Sequence, residues 1–110
     1  MSYVESNTIK AERGNGEIEI KHLLTPVELD GKCKMFAIVT IPPGRGIAYH
    51  LHDGTTETYH ILQGTAKYNN NGEEKIIGAG VTTFCPDGEY HGIENVGDDD
   101  LKFIALIINK

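Results

Sequence analysis

The stretch Gly44-Arg45-Gly46-Ile47-Ala48-Tyr49-His50-Leu51-His52-Asp53-Gly54-Thr55-Thr56-Glu57 decides the fold. On extended backbone, residues two apart face the same way, so His50 and His52 present both imidazoles to one side and Leu51 to the other. A helix reaches the same result only with residues three or four apart. A turn over Asp53-Gly54-Thr55-Thr56 brings the chain back, which sets Glu57 at the head of the next strand. Imidazole and carboxylate are side chains that hold first-row transition metals, so this segment reads as one wall of a metal site.

A second stretch, Gly80 to Asn95, closes the site. Pro86-Asp87-Gly88 is a turn, and His91 follows it as a fourth ligand. Three imidazoles and one carboxylate suit Fe, Mn, Co, Ni, Cu or Zn, and suit Mg or Ca poorly. On a six-coordinate ion they leave two positions for water, substrate or dioxygen.

Working outward, short alternating or β-branched runs are separated by Gly, Pro and Asn. Glu17 to Lys21 alternates as a half-buried strand. Cys33, Met35, Ala37, Val39 and Ile41 share one face of another, halted by Pro42-Pro43-Gly44. Ile47 to His52 and Glu57 to Leu62 are strand-like. Thr65 to Tyr68 and Glu73 to Ile77 flank Asn69-Asn70-Asn71-Gly72, whose Asn-Gly supplies the positive φ angles of a tight hairpin turn. Val81 to Cys85, the His91 region and Leu101 to Ile108 complete an all-β set, a sandwich or barrel. The last strand is apolar on both faces and should lie between packed layers or in a subunit contact. The first dozen residues carry little signal; a helical turn or an arm onto a partner both fit.

Bulk properties agree with one small domain. The chain has 110 residues, enough for a single core, and its 39% hydrophobic and 24% charged residues are those of a globular protein. The net charge of −6 comes without any Lys/Arg cluster, so neither nucleic acid nor an anionic membrane is an expected partner. Cys33 and Cys85 fit no C-x-x-C motif and read as free thiols. The start, Met1-Ser2-Tyr3-Val4-Glu5, has no signal-peptide character, and the apolar run Phe103 to Ile108 is too short to span a bilayer. A cytoplasmic location is expected.

The two stretches together resemble the cupin superfamily. Its first motif, G(x)5HxH(x)3-4E(x)6G, is matched by Gly44, His50, His52, Glu57 and Gly64; its second, G(x)5PxG(x)2H(x)3N, by Gly80, Pro86, Gly88, His91 and Asn95. With residue frequencies near 5%, a chance match at one register is on the order of 10⁻¹³. The resemblance implies a small jelly-roll β-barrel, one domain over 1–110 with an arm over 1–15 and the motifs at 44–64 and 80–95, and a homodimer. It also implies one divalent transition metal on His50, His52, Glu57 and His91, with Asn95 as a structural hydrogen-bonder.

The remaining chemistry-bearing residues divide by position. Tyr59 shares the face of Glu57 and is the candidate for a catalytic or hydrogen-bonding role at the site. His60 lies on the opposite face, and His22 near a strand end reads as structural. Cys85, next to Pro86, can approach the site or simply be buried, and Arg45 sits in a Pro/Gly loop. Asp98 to Asp100 keeps a loop solvated. The superfamily that the chain resembles contains dioxygenases, isomerases, epimerases, decarboxylases and lyases on this same constellation. The ligand set thus implies a metal-dependent enzyme, dioxygenase-like first and isomerase or lyase second, on a compact small molecule. The other class is a metal-containing binding or sensor protein for a sugar or carboxylate. Fold and ligands do not choose between them.

Overall fold

The computed structural model describes residues 3–110. In chain order its strands are β1 (Thr8–Glu12), β2 (Gly14–Asn15), β3 (Glu17–His22), β4 (Cys33–Ile41), β5 (Gly46–Leu51), β6 (Thr55–Gln63), β7 (Thr65–Asn70), β8 (Glu73–Gly78), β9 (Thr82–Cys85), β10 (Tyr90–Asn95) and β11 (Leu101–Asn109). One helical turn, α1 (Pro26–Leu29), joins β3 to β4. A six-stranded sheet runs β1-β3-β4-β11-β6-β9 and a five-stranded sheet β2-β5-β10-β7-β8. Every pairing is antiparallel, and the two sheets curl around one core as a jelly roll. No described helix is long and apolar enough to cross a membrane.

Strand alternation puts the core where the sequence pattern asks for it. Ile18 and Ile20 of β3, Ala37, Val39 and Ile41 of β4, and Leu101, Phe103 and Ala105 of β11 are all buried. Antiparallel partners share a face, so Ile20, Val39, Phe103 and Ile61 form one apolar row across four strands. Burying a side chain of this size contributes roughly 1.5–3 kcal/mol. Asn95 latches this end: its Nδ2 donates to the carbonyls of Ile41 and Asp99, both at 2.8 Å, and its Oδ1 accepts from the Gly97 amide at 2.9 Å. That is the structural hydrogen-bonding the motif implied.

The hairpin turn is Asn71-Gly72, with φ of 53° and 90°. The outer face of β11 carries the second half of its apolar pattern. Ile104 and Leu106 are half-buried there, flanked in register by Ile38 and Phe36 of β4 and by His60 and Thr58 of β6.

Three local features go beyond the sequence reading. Residues 8–12, where a helical turn or an arm both fitted, form an edge strand paired with β3. Only Ala11 of that strand is even half-buried, so its alternation is faint. The α1 turn is set by Pro26 at its start and by Glu28, whose Oε1 accepts from the Thr25 amide at 2.9 Å and hydroxyl at 2.6 Å. Finally, β5 carries a bulge. Its register with β10 steps from His50–His91 to Ile47–Ile93, so His50 and Ile47, three apart, both face inward. Gly92 lies opposite the extra residue, where a Cβ would sit 3.0 Å from the Tyr49 backbone. A larger residue would have to push the β5 backbone back by a few tenths of an ångström, and glycine needs no such shift.

Candidate metal centre

The smaller sheet contributes two imidazoles, the segment just after β5 a third, and the larger sheet one carboxylate. His50 and His91 are register partners on β5 and β10. His52 follows β5 directly, and the turn after it is shorter than the sequence suggested, because β6 already begins at Thr55. Glu57 enters from β6 across the barrel. Its Oε1 lies 3.0 Å from both His52 Nε2 and His91 Nε2, and 4.0 Å from His50 Nε2. Nε2 of His52 is 3.2 Å from that of His50 and 3.0 Å from that of His91. All four ligand atoms fall within 4.8 Å of one another.

The far side of each ring is tied down. His50 Nδ1 donates to the Ala48 carbonyl at 2.7 Å, which leaves a lone pair on its Nε2. His52 Nδ1 meets the Thr55 hydroxyl, and His91 Nδ1 the Tyr68 hydroxyl, both at 2.8 Å. Burial holds the His52 imidazole below its ordinary range; Glu57 opposes this, while His91 and His50 add to it. Three imidazole nitrogens and one carboxylate oxygen converge on one point here, each able to offer a lone pair to a cation, so the donor set fits a transition ion. His91, Glu57 and His52 are buried, and His50 alone is half-exposed.

The turn expected to aim His91 does a second job. The Gly88 amide donates to the His52 carbonyl at 2.7 Å, and the His52 amide to the Glu89 carbonyl at 2.9 Å. Asp87 Oδ1 accepts from the Gly54 amide at 2.7 Å. Pro86 to Glu89 therefore clamps His52 as well, joining both motif segments by backbone hydrogen bonds.

Tyr59 lies where its shared face with Glu57 put it. Its hydroxyl donates to Glu57 Oε1 at 3.3 Å, and its ring stacks on His91 with centroids 5.0 Å apart. Burial, aided by the Glu57 charge, pushes its phenol well above the ordinary range, so it keeps its proton. Burial likewise pushes Tyr68 up to about 12. His60 is on the outer face, bonded to the Thr82 hydroxyl at 2.8 Å. His22, half-buried, pairs in register with Ala37. Cys85 is Glu57's register partner, fully buried, and burial pushes its thiol up to about 11; it and Cys33 are free. Arg45 donates to the Glu17 carbonyl at 2.9 Å and takes no part in the cluster.

Sequence reasoning missed Thr55 and Tyr68. Thr55 stands three residues after His52 and was assigned to the turn. Tyr68 alternates with Ala66, but its reach to His91 depends on the β7–β10 pairing, which no local signal gives. A cavity of about 710 Å³ opens on the cluster, lined on this side by His50, His52 and Glu57.

Comparison with known proteins agrees with this geometry. The family model described as a cupin domain matches residues 37–107. An oxalate-binding protein from Thermotoga maritima is 40% identical over 111 residues, covering 96% of this chain and 92% of that protein. The crystal structure of a predicted oxalate decarboxylase from Thermotoga maritima superposes with a TM-score of 0.91 at 38% identity, covering 96% of this chain and 95% of that one. A Photorhabdus luminescens protein shares the fold at TM-score 0.80 with 17% identity, over 100% of this chain and 90% of its own.

Proposed function

This chain belongs to the cupin family, and we propose that within it the protein binds a compact carboxylate through one divalent transition metal held by His50, His52, Glu57 and His91. The observation that carries this reading is the set of three imidazoles whose Nδ1 atoms are all engaged, so that every Nε2 points at Glu57 Oε1. The ion is one of Fe, Mn, Ni, Zn, Co or Cu, and when bound it supplies Lewis-acid attraction for carboxylate oxygens. Ala48, Thr55 and Tyr68 fix the three rings. Tyr59 acts as a positioning residue: it holds Glu57 by a hydrogen bond and, with its raised phenol, moves no proton near neutral pH. Similarity to an oxalate-binding protein favours a carboxylate over a sugar, and favours binding over the dioxygenase-like turnover that the ligand set alone allows.

Titration calorimetry with oxalate tests this, using protein loaded with each metal in turn and protein stripped by chelator. Saturable binding that requires the metal, with no oxygen uptake, is the expected result. Equal binding by stripped protein, or stoichiometric metal retained by His50→Ala, would overturn it. Oxygen consumption on adding a small acid would restore the oxygenase reading.

We also infer a homodimer formed across the outer face of the larger sheet. The half-buried Phe36, Ile38, Ile104 and Leu106 give that face its apolar character, and Phe84 extends it toward the β9 edge. Light scattering should report twice the chain mass, and Leu106→Glu should halve it. A wild-type monomer at high concentration would refute the dimer.

A further inference from the structure

The cavity above the cluster is built for more than a small dianion. Its volume, about 710 Å³, lies in the range that holds whole drug-sized ligands, roughly 300–1,000 Å³. Ile18, Ile20, Met35, Val39, Ile47 and Ile107 line it beside His50, His52 and Glu57. Sheet register explains how apolar wall and ligand set meet. Glu57, Ile107 and Met35 are successive partners across β6, β11 and β4, so one aliphatic row begins at the carboxylate itself. Oxalate has no hydrocarbon to lay against that row.

Charge points the same way. A divalent ion held with the Glu57 carboxylate carries one net positive charge, which a monocarboxylate neutralises and a dicarboxylate overshoots. A dianion would then leave an uncompensated negative charge among aliphatic side chains, at considerable cost. The cavity's own ionic groups offer no correction. Arg13 and Lys34 are offset by Glu12 and Asp53, all four exposed to solvent.

We propose that the natural ligand is a monocarboxylate with an aliphatic or aromatic body. Its head lies at the His50–His52–Glu57 edge, and its body along Met35, Ile107 and the isoleucines behind them. This rests on the carboxylate reading above and narrows it.

A 2-oxo acid series provides the test, because pyruvate, 2-oxobutanoate, 2-oxopentanoate and 2-oxohexanoate keep two adjacent donor oxygens, as oxalate does, while exchanging one charge for a lengthening chain. Calorimetry on manganese(II)-loaded protein should give a Kd that falls about fourfold for each methylene added, with the longer acids binding more tightly than oxalate. Ile107→Gln, at a half-buried position, should flatten that gain, weakening 2-oxohexanoate binding far more than pyruvate binding. If Ile107→Gln disturbs metal loading, Met35→Gln provides the same measurement one strand further from Glu57. Oxalate binding tightest, with no dependence on chain length, would overturn this inference and leave the carboxylate reading standing. If neither oxalate nor any oxo acid binds the loaded protein, both fall together.

Discussion

The two ends of the barrel are made by the same strands and do opposite things. At one end β4, β6 and β11 supply Val39, Ile61 and Phe103, a buried apolar row that meets the cavity floor at Val39, with Asn95 latching the chain beneath it. At the other end the same three strands supply Met35, Glu57 and Ile107, facing three histidines and an open cavity. Between them lies the row of Ala37, Ala105 and Tyr59, where two small residues lie side by side next to one large one. Strand alternation alone does not separate these ends, since every residue in all three rows faces inward. Position along the strand does: a shift of four residues takes the chain from core to chemistry.

The sharpest way to break that contrast is to remove a proposed ligand from the open end. His91→Ala deletes the most buried of the four, and with it the imidazole on which Tyr59 stacks and to which Tyr68 is bonded. Stoichiometric metal should be lost altogether in elemental analysis of the purified variant. Retained metal would mean that the other three suffice, and the four-residue assignment would fail.

Phe103→Ala makes the complementary cut at the closed end. Its side chain is fully buried among Val39, Ile61 and their neighbours, so its loss should cost about 3–5 kcal/mol in denaturant unfolding. Metal stoichiometry should stay unchanged, provided the folded fraction is measured. A variant that unfolds no more easily, or that folds and yet loses its metal, would show the two ends to be less separable than their rows suggest.

The candidate ligands were far more legible in the sequence than the groups that orient them. His50, His52 and Glu57 sit within one strand, turn and strand, and their relation follows from local periodicity. His91 needed only a turn to aim it. The β5 bulge was invisible, because it depends on Gly92 lying against Tyr49 across a strand pairing. Tyr68 was missed for the same reason. The edge strand β1 went unread because its alternation is nearly all exposed, and α1 because one capped turn leaves no periodic trace. Local chemistry shows in the sequence, whereas contacts made by non-local pairing do not.

Tyr68→Phe measures one of those hidden contacts. The substitution removes only the hydroxyl that meets His91 Nδ1 at 2.8 Å and keeps the ring. Loss of such a partner behind a ligand typically weakens metal binding about 10–100-fold, and a competition titration against a chelator should report a change of that order. Thermal stability of the metal-free protein should move much less. An unaltered metal affinity would mean that β10 alone sets the His91 ring.

The smallest effect expected is one of pH on the metal-free protein. Burial lowers the His52 imidazole in the folded chain, while in the unfolded chain it titrates near about 6.5. Above that value neither state is protonated there, and the group's contribution to stability is fully present. As pH falls below it, the unfolded chain takes up a proton that the folded chain resists, so stability declines toward the lowered folded value. Urea midpoints of chelator-treated protein should therefore fall between about pH 7 and pH 5.5, and His52→Asn should make that slope shallower. The loaded protein should hold its midpoint further into acid, because an ion on Nε2 excludes the proton. A midpoint that rises on acidification would mean the folded protein accommodates the charged ring, and the open end would then be a proton-binding cluster rather than a metal-binding one.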